Sequence, residues 1–471
     1  MKNKAVGFAK NISYTLFSNM LSLLISTLAV LIVPRLFGLE EYGYLQLYMF
    51  YAGYVGILHF GWNDGVYLRY GGAEYDDLDI KVFYSQFSMA ILLQFIIGSL
   101  IFVFSYLFMD DPNRIFIFTM ISFSLIFTNM QSMLSFILQA TNQIKEYSIV
   151  TMANKITYFI MLLIFIFIGI RRYEYMVVAD LTGRLVSMII AMYYCKEIVF
   201  NKLSDFYFDF TEMFANITAG IKLMISNLAS MLVIGIVRFG IEQNWNVETF
   251  GKVSLTLSIS NMMMIFINAI GLVLFPVLRR INQNQYKRIY SVMRDFLMAI
   301  SLGLLIIYYP AKVALTSWLA EYSEALNYMA LLFPIFIFEG KMSLLINTFL
   351  KTMREEALLL RINLITLFLS SIATVFTAYV LNNLDLTIVS IVIILAFRSV
   401  FAEFQMTKLL DINISKDITF ELLLTLVFIL SGWFIDSWMT PFIYGVSYLL
   451  YLYLKRRDFK ESFHEILQLL K

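Results

Sequence analysis

Asn11-Ile12-Ser13-Tyr14-Thr15-Leu16 opens the stretch that decides the fold, and Pro34-Arg35-Leu36-Phe37-Gly38-Leu39-Glu40-Glu41-Tyr42-Gly43 closes it. Between them run about twenty mostly apolar residues, enough at a rise of 1.5 Å per residue to cross a hydrocarbon core of roughly 30 Å. A polar start, a long apolar run and an ending of proline, cation and glycine read as a membrane-spanning helix followed by a tight turn. The next apolar run begins at Gly43.

The same pattern fills the chain. Of its 471 residues 60% are hydrophobic and 14% charged, with a mean hydropathy of +0.77. Soluble domains carry about 25% charged residues, so the composition specifies an all-α, polytopic membrane protein. The net charge of +2 comes from basic residues scattered over loops, which gives no nucleic-acid surface. A single cysteine, Cys195, excludes a disulfide framework, and His59 and His464 lie too far apart to suggest a metal site. The first apolar run is too long for a cleavable signal, and no small-residue cleavage site follows it.

Polar interruptions divide the chain into about fourteen spans. Six lie near 12–34, 43–62, 83–109, 115–139, 148–170 and 174–196, and six more near 216–240, 248–278, 288–310, 326–350, 358–381 and 384–408. Two shorter ones, 418–436 and 438–455, form a closing hairpin. The expected organisation is an N-lobe over 1–200, a connector over 201–215, a C-lobe over 216–410, and a helix pair with a tail over 411–471. Placing both termini in the cytoplasm puts about four times as many Lys and Arg residues inside as outside. The outer loops then keep only Arg35, Arg114, Arg171, Arg172 and Lys312. No loop is long enough to fold as a soluble catalytic domain, which favours a carrier over a membrane polymerase or glycosyltransferase.

The opening stretch recurs. Ser18-Asn19-Met20-Leu21-Ser22 matches Ser226-Asn227-Leu228-Ala229-Ser230 at a shift of 208, and the same shift puts Tyr42-Gly43 on Phe250-Gly251 without a gap. The repeat falls on the first helix of each group of six, as in transporters built from repeated halves.

Two groups of six spans, Pro34-Arg35-x-x-Gly38 ending the first helix and Tyr42-Gly43 opening the second resemble the Wzx-type polysaccharide flippases. These O-antigen and capsule repeat-unit flippases share the MOP superfamily with MATE multidrug exporters and lipid II flippases. Gly61-Trp62-Asn63-Asp64-Gly65 with Leu68-Arg69-Tyr70, and Leu138-Gln139-Ala140-x-x-Gln143-x-Lys145-x-Tyr147, add to the likeness. The resemblance spans the whole layout, with its specific motifs in the first 150 residues. It implies two six-helix lobes in a V around a cavity, and alternating access. It also implies a bacterial cytoplasmic-membrane flippase that carries a polyprenyl-pyrophosphate-linked glycan outward among membrane lipids and other polysaccharide assembly proteins. The motif residues Pro34, Arg35, Gly38, Tyr42, Gly43, Asp64 and Arg69 would serve gating. Lipid II flippases carry arginines in their first helix, whereas Leu16 to Val33 holds no charge. The alternative of the same fold is a cation-coupled small-molecule exporter.

Charge inside a bilayer costs several kcal/mol (about 2.5–3.5 on insertion scales), so each buried ion needs a partner or a hydrated cavity. Lys155, Arg184, Lys222, Lys341 and Arg398 are the candidate cations for a diphosphate cargo. Asp180 and Glu339 either pair with cations or bind a coupling H+ or Na+; no other cofactor is expected. Asp180 and Arg184 are four apart and share a helix face. Glu339 and Lys341 are two apart and face different ways, and Arg398 has no acid at i−4 or i+4. Arg294 and Arg361 read as cations snorkelling to the inner surface, with Glu403 towards the inner end of its span. Trp62, Trp245, Trp318, Trp433 and Trp438 read as interface anchors. Arg279-Arg280 with Lys287-Arg288 is the densest internal basic cluster.

Overall fold

The computed structural model describes residues 2–268, 285–435 and 437–460. Arg279, Arg280, His464 and the end of the span read over 248–278 lie outside them. The described chain is helical and contains no strand. Its longer elements are α1 (Lys2–Leu36), α2 (Leu39–Ala52), α3 (Trp62–Arg69), α4 (Ile80–Phe108), α5 (Pro112–Ala140), α6 (Ile144–Ile168), α7 (Tyr173–Tyr194) and α8 (Phe210–Asn244). They continue as α9 (Val247–Asn268), α10 (Tyr286–Trp318), α11 (Met329–Thr352), α12 (Glu356–Val380), α13 (Leu384–Leu410), α14 (Ser415–Ile435) and α15 (Thr440–Leu454). Twelve helices among the described residues are long and apolar enough to cross a membrane.

Two expected spans take another form. The run over 43–62 is broken: α2 stops at Ala52, a 3-10 turn covers Val55–His59, and α3 starts at Trp62. Phe60 (φ 54°) and Gly61 (φ 82°) are both left-handed, and two such residues in succession cannot continue an α-helix. The last expected span is α15, of 15 residues, or roughly 22 Å. The turn after α1 also differs. α1 runs through Pro34 to Leu36, and Gly38 has φ −63° and ψ 164°, extended backbone open to any residue. A two-residue link, not a glycine conformation, reverses the chain there.

Helix ends follow local chemistry. The Asp79 carboxylate accepts from the backbone N–H groups of Lys81 and Val82, and Asp111 accepts from Asn113 with Pro112 in the first turn. The Asn246 and Asn383 side chains do the same for α9 and α13. Gly169 (φ 87°) closes α6.

By its contacts the chain divides into two units, Met1–Leu228 and Ala229–Lys471, with the boundary inside α8. In the first, α5 is the central helix: it packs on α2, α3, α4, α6 and α7 and is 61% buried, against 17% for α6. In the second, α11 is central at 83% buried. The peripheral helices turn Leu, Ile and Phe side chains outward, as a lipid-facing surface requires. The repeat seen in the sequence reappears in the helix ends. α1 and α8 each have 35 residues, and Lys2 and Phe210, Leu36 and Asn244, and Leu39 and Val247 are each 208 apart.

Candidate functional site

In the first unit the charges gather where α6 meets α7. Gly183 allows this approach: a Cβ there would stand 2.6 Å from the Asn154 carbonyl oxygen. On the next residue of α7, Arg184 Nε lies 2.6 Å from Asp180 Oδ2, the i, i+4 pairing that the spacing implies. The Tyr48 hydroxyl donates to the same Asp180 oxygen at 2.8 Å, and Arg184 Nη1 donates to Thr128 at 2.7 Å. Asp180 is buried and Arg184 half-buried. Lys155, on α6, is exposed and has no hydrogen-bond or ion-pair partner among the described residues. It lies within electrostatic reach of both Asp180 and Arg184. The group of Lys155, Asp180 and Arg184 therefore keeps one uncompensated positive charge. Lys222, on α8, is likewise an exposed cation without a partner among the described residues.

The motif Gly61 to Tyr70 forms a joint between α3 and the first half of α8. A Cβ on Gly65 would fall 1.8 Å from the Asn216 carbonyl oxygen, and one on Gly220 would fall 2.0 Å from that of Gly61. Backbone therefore packs directly on backbone. Arg69 donates to Glu212 through Nη1 (2.6 Å) and Nη2 (3.1 Å) and to Asn216 Oδ1 (2.6 Å), while the Tyr70 hydroxyl donates to Glu212 at 2.7 Å. Asp64 is buried, with Oδ2 3.5 Å from His59 Nε2. Trp62 is 1% exposed and donates through Nε1 to Gln86. It is a core residue of this joint, not the interface anchor its position at a span end suggests.

Around the α1–α2 link, Pro34, Tyr42 and Gly43 are buried, and Arg35 and Gly38 are exposed. Glu41 ties this segment to α7. Its Oε2 accepts the backbone N–H of Tyr173 at 2.6 Å, capping α7, and Tyr44 stacks on Tyr173.

In the second unit the buried cations Arg294, Lys341 and Arg398 are committed to carboxylates. Arg398 is 1% exposed; it donates to Glu339 (3.1 Å), Asn363 (3.2 Å) and Ser230 (2.6 Å). Lys341, 2% exposed, donates to Glu403 at 2.7 Å and Glu421 at 2.8 Å. Arg294 joins the same pair of carboxylates, with Nε 2.5 Å from Glu403 and Nη2 2.5 Å from Glu421. Snorkelling is thus the wrong account of Arg294: it is fully buried, because acids from α13 and α14 meet it at its own depth. Arg361 is exposed. Lys455, just beyond α15, continues the network to Asp295 (2.6 Å) and Asp417 (3.0 Å). Lys341 opens a π-helical turn, Lys341–Ile346, an irregularity found often at working sites.

As their spacing of two implies, Glu339 and Lys341 do not pair with each other but meet other helices: both reach α13, through Arg398 and Glu403, and Lys341 also reaches Glu421 of α14. Their partners were not foreseen. Tyr48, Thr128, Ser230 and Asn363 carry no charge to mark them, but Glu421 did give a signal, as a carboxylate inside the apolar run 418–436.

Long apolar helices, buried ions held by partners among the described residues and an internal repeat define a multi-pass membrane protein, and its fold is that of the MOP-superfamily transporters. Lipid II flippase MurJ in an inward closed conformation superposes with a TM-score of 0.62 at 13% identity, over 96% of this chain and 99% of that one. An inward-facing multidrug resistance MATE family transporter gives 0.59 at 11% identity, over 83% and 98%. A MATE in complex with MaL6 gives 0.52 at 14%, over 85% and 96%. The part unmatched by MurJ is too short to hold both α14 and α15. A comparison with curated proteins finds no match. The chain belongs to the polysaccharide biosynthesis protein family, whose profile matches residues 8–282.

Proposed function

We propose that this protein is a flippase. It moves a polyprenyl-pyrophosphate-linked oligosaccharide from the inner to the outer leaflet of a bacterial cytoplasmic membrane, for assembly of a surface polysaccharide such as O-antigen or capsule. The observation that carries this reading is the meeting of two properties in one chain, membership of a polysaccharide-biosynthesis family and a transporter fold. A pathway that builds glycans on a lipid inside the cell and uses them outside needs one transport step, and no covalent bond changes in it.

The residues support an anionic cargo. Lys155 and Lys222 offer ammonium groups without partners among the described residues, and Arg184 is anchored by Asp180. These three are the residues that would meet the diphosphate. Lys341 and Arg398 are occupied by carboxylates and would act through the packing of their helices. A coupling H+ or Na+ would compete with Arg184 for Asp180, or with Arg398 for Glu339.

The test is depletion of the protein in a strain with a single such flippase. Completed lipid-linked repeat units should accumulate on the inner leaflet and surface polysaccharide should disappear. Lys155→Ala and Lys222→Ala should each restore less of it than wild type, and Asp180→Asn with Glu339→Gln should abolish dependence on an ion gradient. Unchanged glycan lipids and polysaccharide would replace the flippase reading with that of a MATE-like exporter. A gradient dependence that survives both amides would remove these two carboxylates from coupling.

A further inference from the structure

The second unit has a pocket at the end where α9, α11 and α13 begin and α14 finishes. Its volume is about 340 Å³, within the range of small-ligand sites, and Lys252, Glu324, Asn327, Tyr328, Asp385 and Trp433 line it. Trp433, in the π-helical end of α14, stacks on Tyr328 with ring centroids 5.8 Å apart and planes at 28°. Both rings are half-buried, so they form an apolar plate on one side of the opening. Around the plate stand polar groups. The Tyr328 hydroxyl donates to Asp385 Oδ1 at 2.8 Å, and Lys252 Nζ lies 2.9 Å from Glu324 Oε2. Burial and the bond to Asp385 push the Tyr328 hydroxyl up to about 12, so it stays a donor. Asp385 Oδ2, Glu324 Oε1 and the exposed Asn327 amide are unengaged among the described residues.

An aromatic plate bordered by carboxylate, amide and ammonium groups matches a pyranose ring. The ring's C–H face lies on the aromatic surface while its hydroxyls reach the polar border. The three charges sum to one negative, which favours the sugar portion over the diphosphate end of a lipid-linked glycan. We infer that this pocket binds the uncharged sugar portion of the cargo at the end of the molecule that the charge pattern of the loops places outside. The inference rests on the flippase reading for the source of the sugar. It also gives the C-terminal pair a task, since without α14 the plate loses Trp433.

The experiment uses the full chain in detergent and the oligosaccharide released by mild acid from the lipid-linked pool of the source cells. Binding is read by saturation-transfer NMR and calorimetry. Trp433→Ala should weaken binding by about tenfold, as truncation of an aromatic anchor does. Trp433→Phe should retain most of it. Asn327→Ala, at an exposed position, should weaken binding with an unchanged melting temperature. Absent binding to wild type, or equal binding by Trp433→Ala and Asn327→Ala, overturns the pocket. Flipping of the intact glycan lipid in proteoliposomes is scored separately. Wild-type flipping with no pocket-dependent binding sinks this inference alone, and absent flipping with pocket-dependent binding sinks only the transport reading.

Discussion

Gly65 and Gly220 meet where even a methyl group has no room. The atoms that a Cβ would strike, Asn216 O at 1.8 Å and Gly61 O at 2.0 Å, are backbone and cannot turn aside. Overpacking by one carbon costs about 1–3 kcal/mol where side chains can adjust, and more where backbone must move. Gly65→Ala and Gly220→Ala should therefore each lower the melting temperature of the detergent-purified protein well below wild type. Gly445→Ala, with nothing within 4 Å of the added carbon, should match or exceed wild type. A Gly65→Ala protein as stable as Gly445→Ala would mean that α3 and α8 do not touch in this way. In the sequence Gly61 to Gly65 stands out as a motif of the family resemblance, its two glycines, asparagine and aspartate interrupting apolar runs. The sequence could not pair them with Asn216 and Gly220, since nothing local on α8 announces the partner. The same holds for charges. Asp180 with Arg184 was readable from an interval of four, while Arg398 with Glu339 joins two helices and leaves no interval to read.

At the scale of the element, the C-terminal pair is tied down by ions. Glu421 and Asp417 of α14 and Lys455 after α15 reach Lys341, Arg294 and Asp295 of α11 and α10, all in one compact unit. Read from hydropathy, α14 and α15 are a hairpin added to a complete body. Hydropathy averages over a window and so hides a single carboxylate such as Glu421. Removing that carboxylate leaves the buried Arg294 and Lys341 sharing Glu403, with Asp295 and Asp417 more distant at 3.8 Å from Arg294. Loss of one partner from a buried ion pair costs about 3–5 kcal/mol, whereas exchanging both partners for apolar residues is often neutral. Glu421→Ala should accordingly be among the most destabilising changes in this unit. Lys341→Met combined with Glu421→Leu should be less damaging than the sum of its parts, which thermal unfolding of the two singles and the double would measure. Strict additivity would show that the two side chains act apart. The broken α2–α3 segment is the other element that hydropathy misreads, because an apolar run does not reveal that Phe60 and Gly61 turn left-handed within it.

For the whole molecule, the open physical question is which side of the membrane each loop occupies, and the broken segment makes it sharp. If residues 39–69 cross, the loop at Gly38 and the loop at Asp77 lie on opposite sides. If they do not, every later loop changes side and the excess of Lys and Arg would lie outside, against the rule that cytoplasmic loops retain them. The charge pattern therefore predicts that the break still crosses. Cys195 is fully buried, so wild type should take up no maleimide and can serve as the background without replacement. Gly38, Asp77, Asp110, Arg171, Lys202 and Arg354 are all exposed, and Gly38 has open space and ordinary backbone for a cysteine. A membrane-impermeant maleimide should label Gly38→Cys, Asp110→Cys and Arg171→Cys in intact cells. Asp77→Cys, Lys202→Cys and Arg354→Cys should react only after permeabilisation. Gly38 and Asp77 labelling from the same side would show that α2 and α3 enter and leave by one face. The basic loops would then need another explanation, and the sugar pocket would open towards the cytoplasm, where it would meet the glycan before transport and not after it.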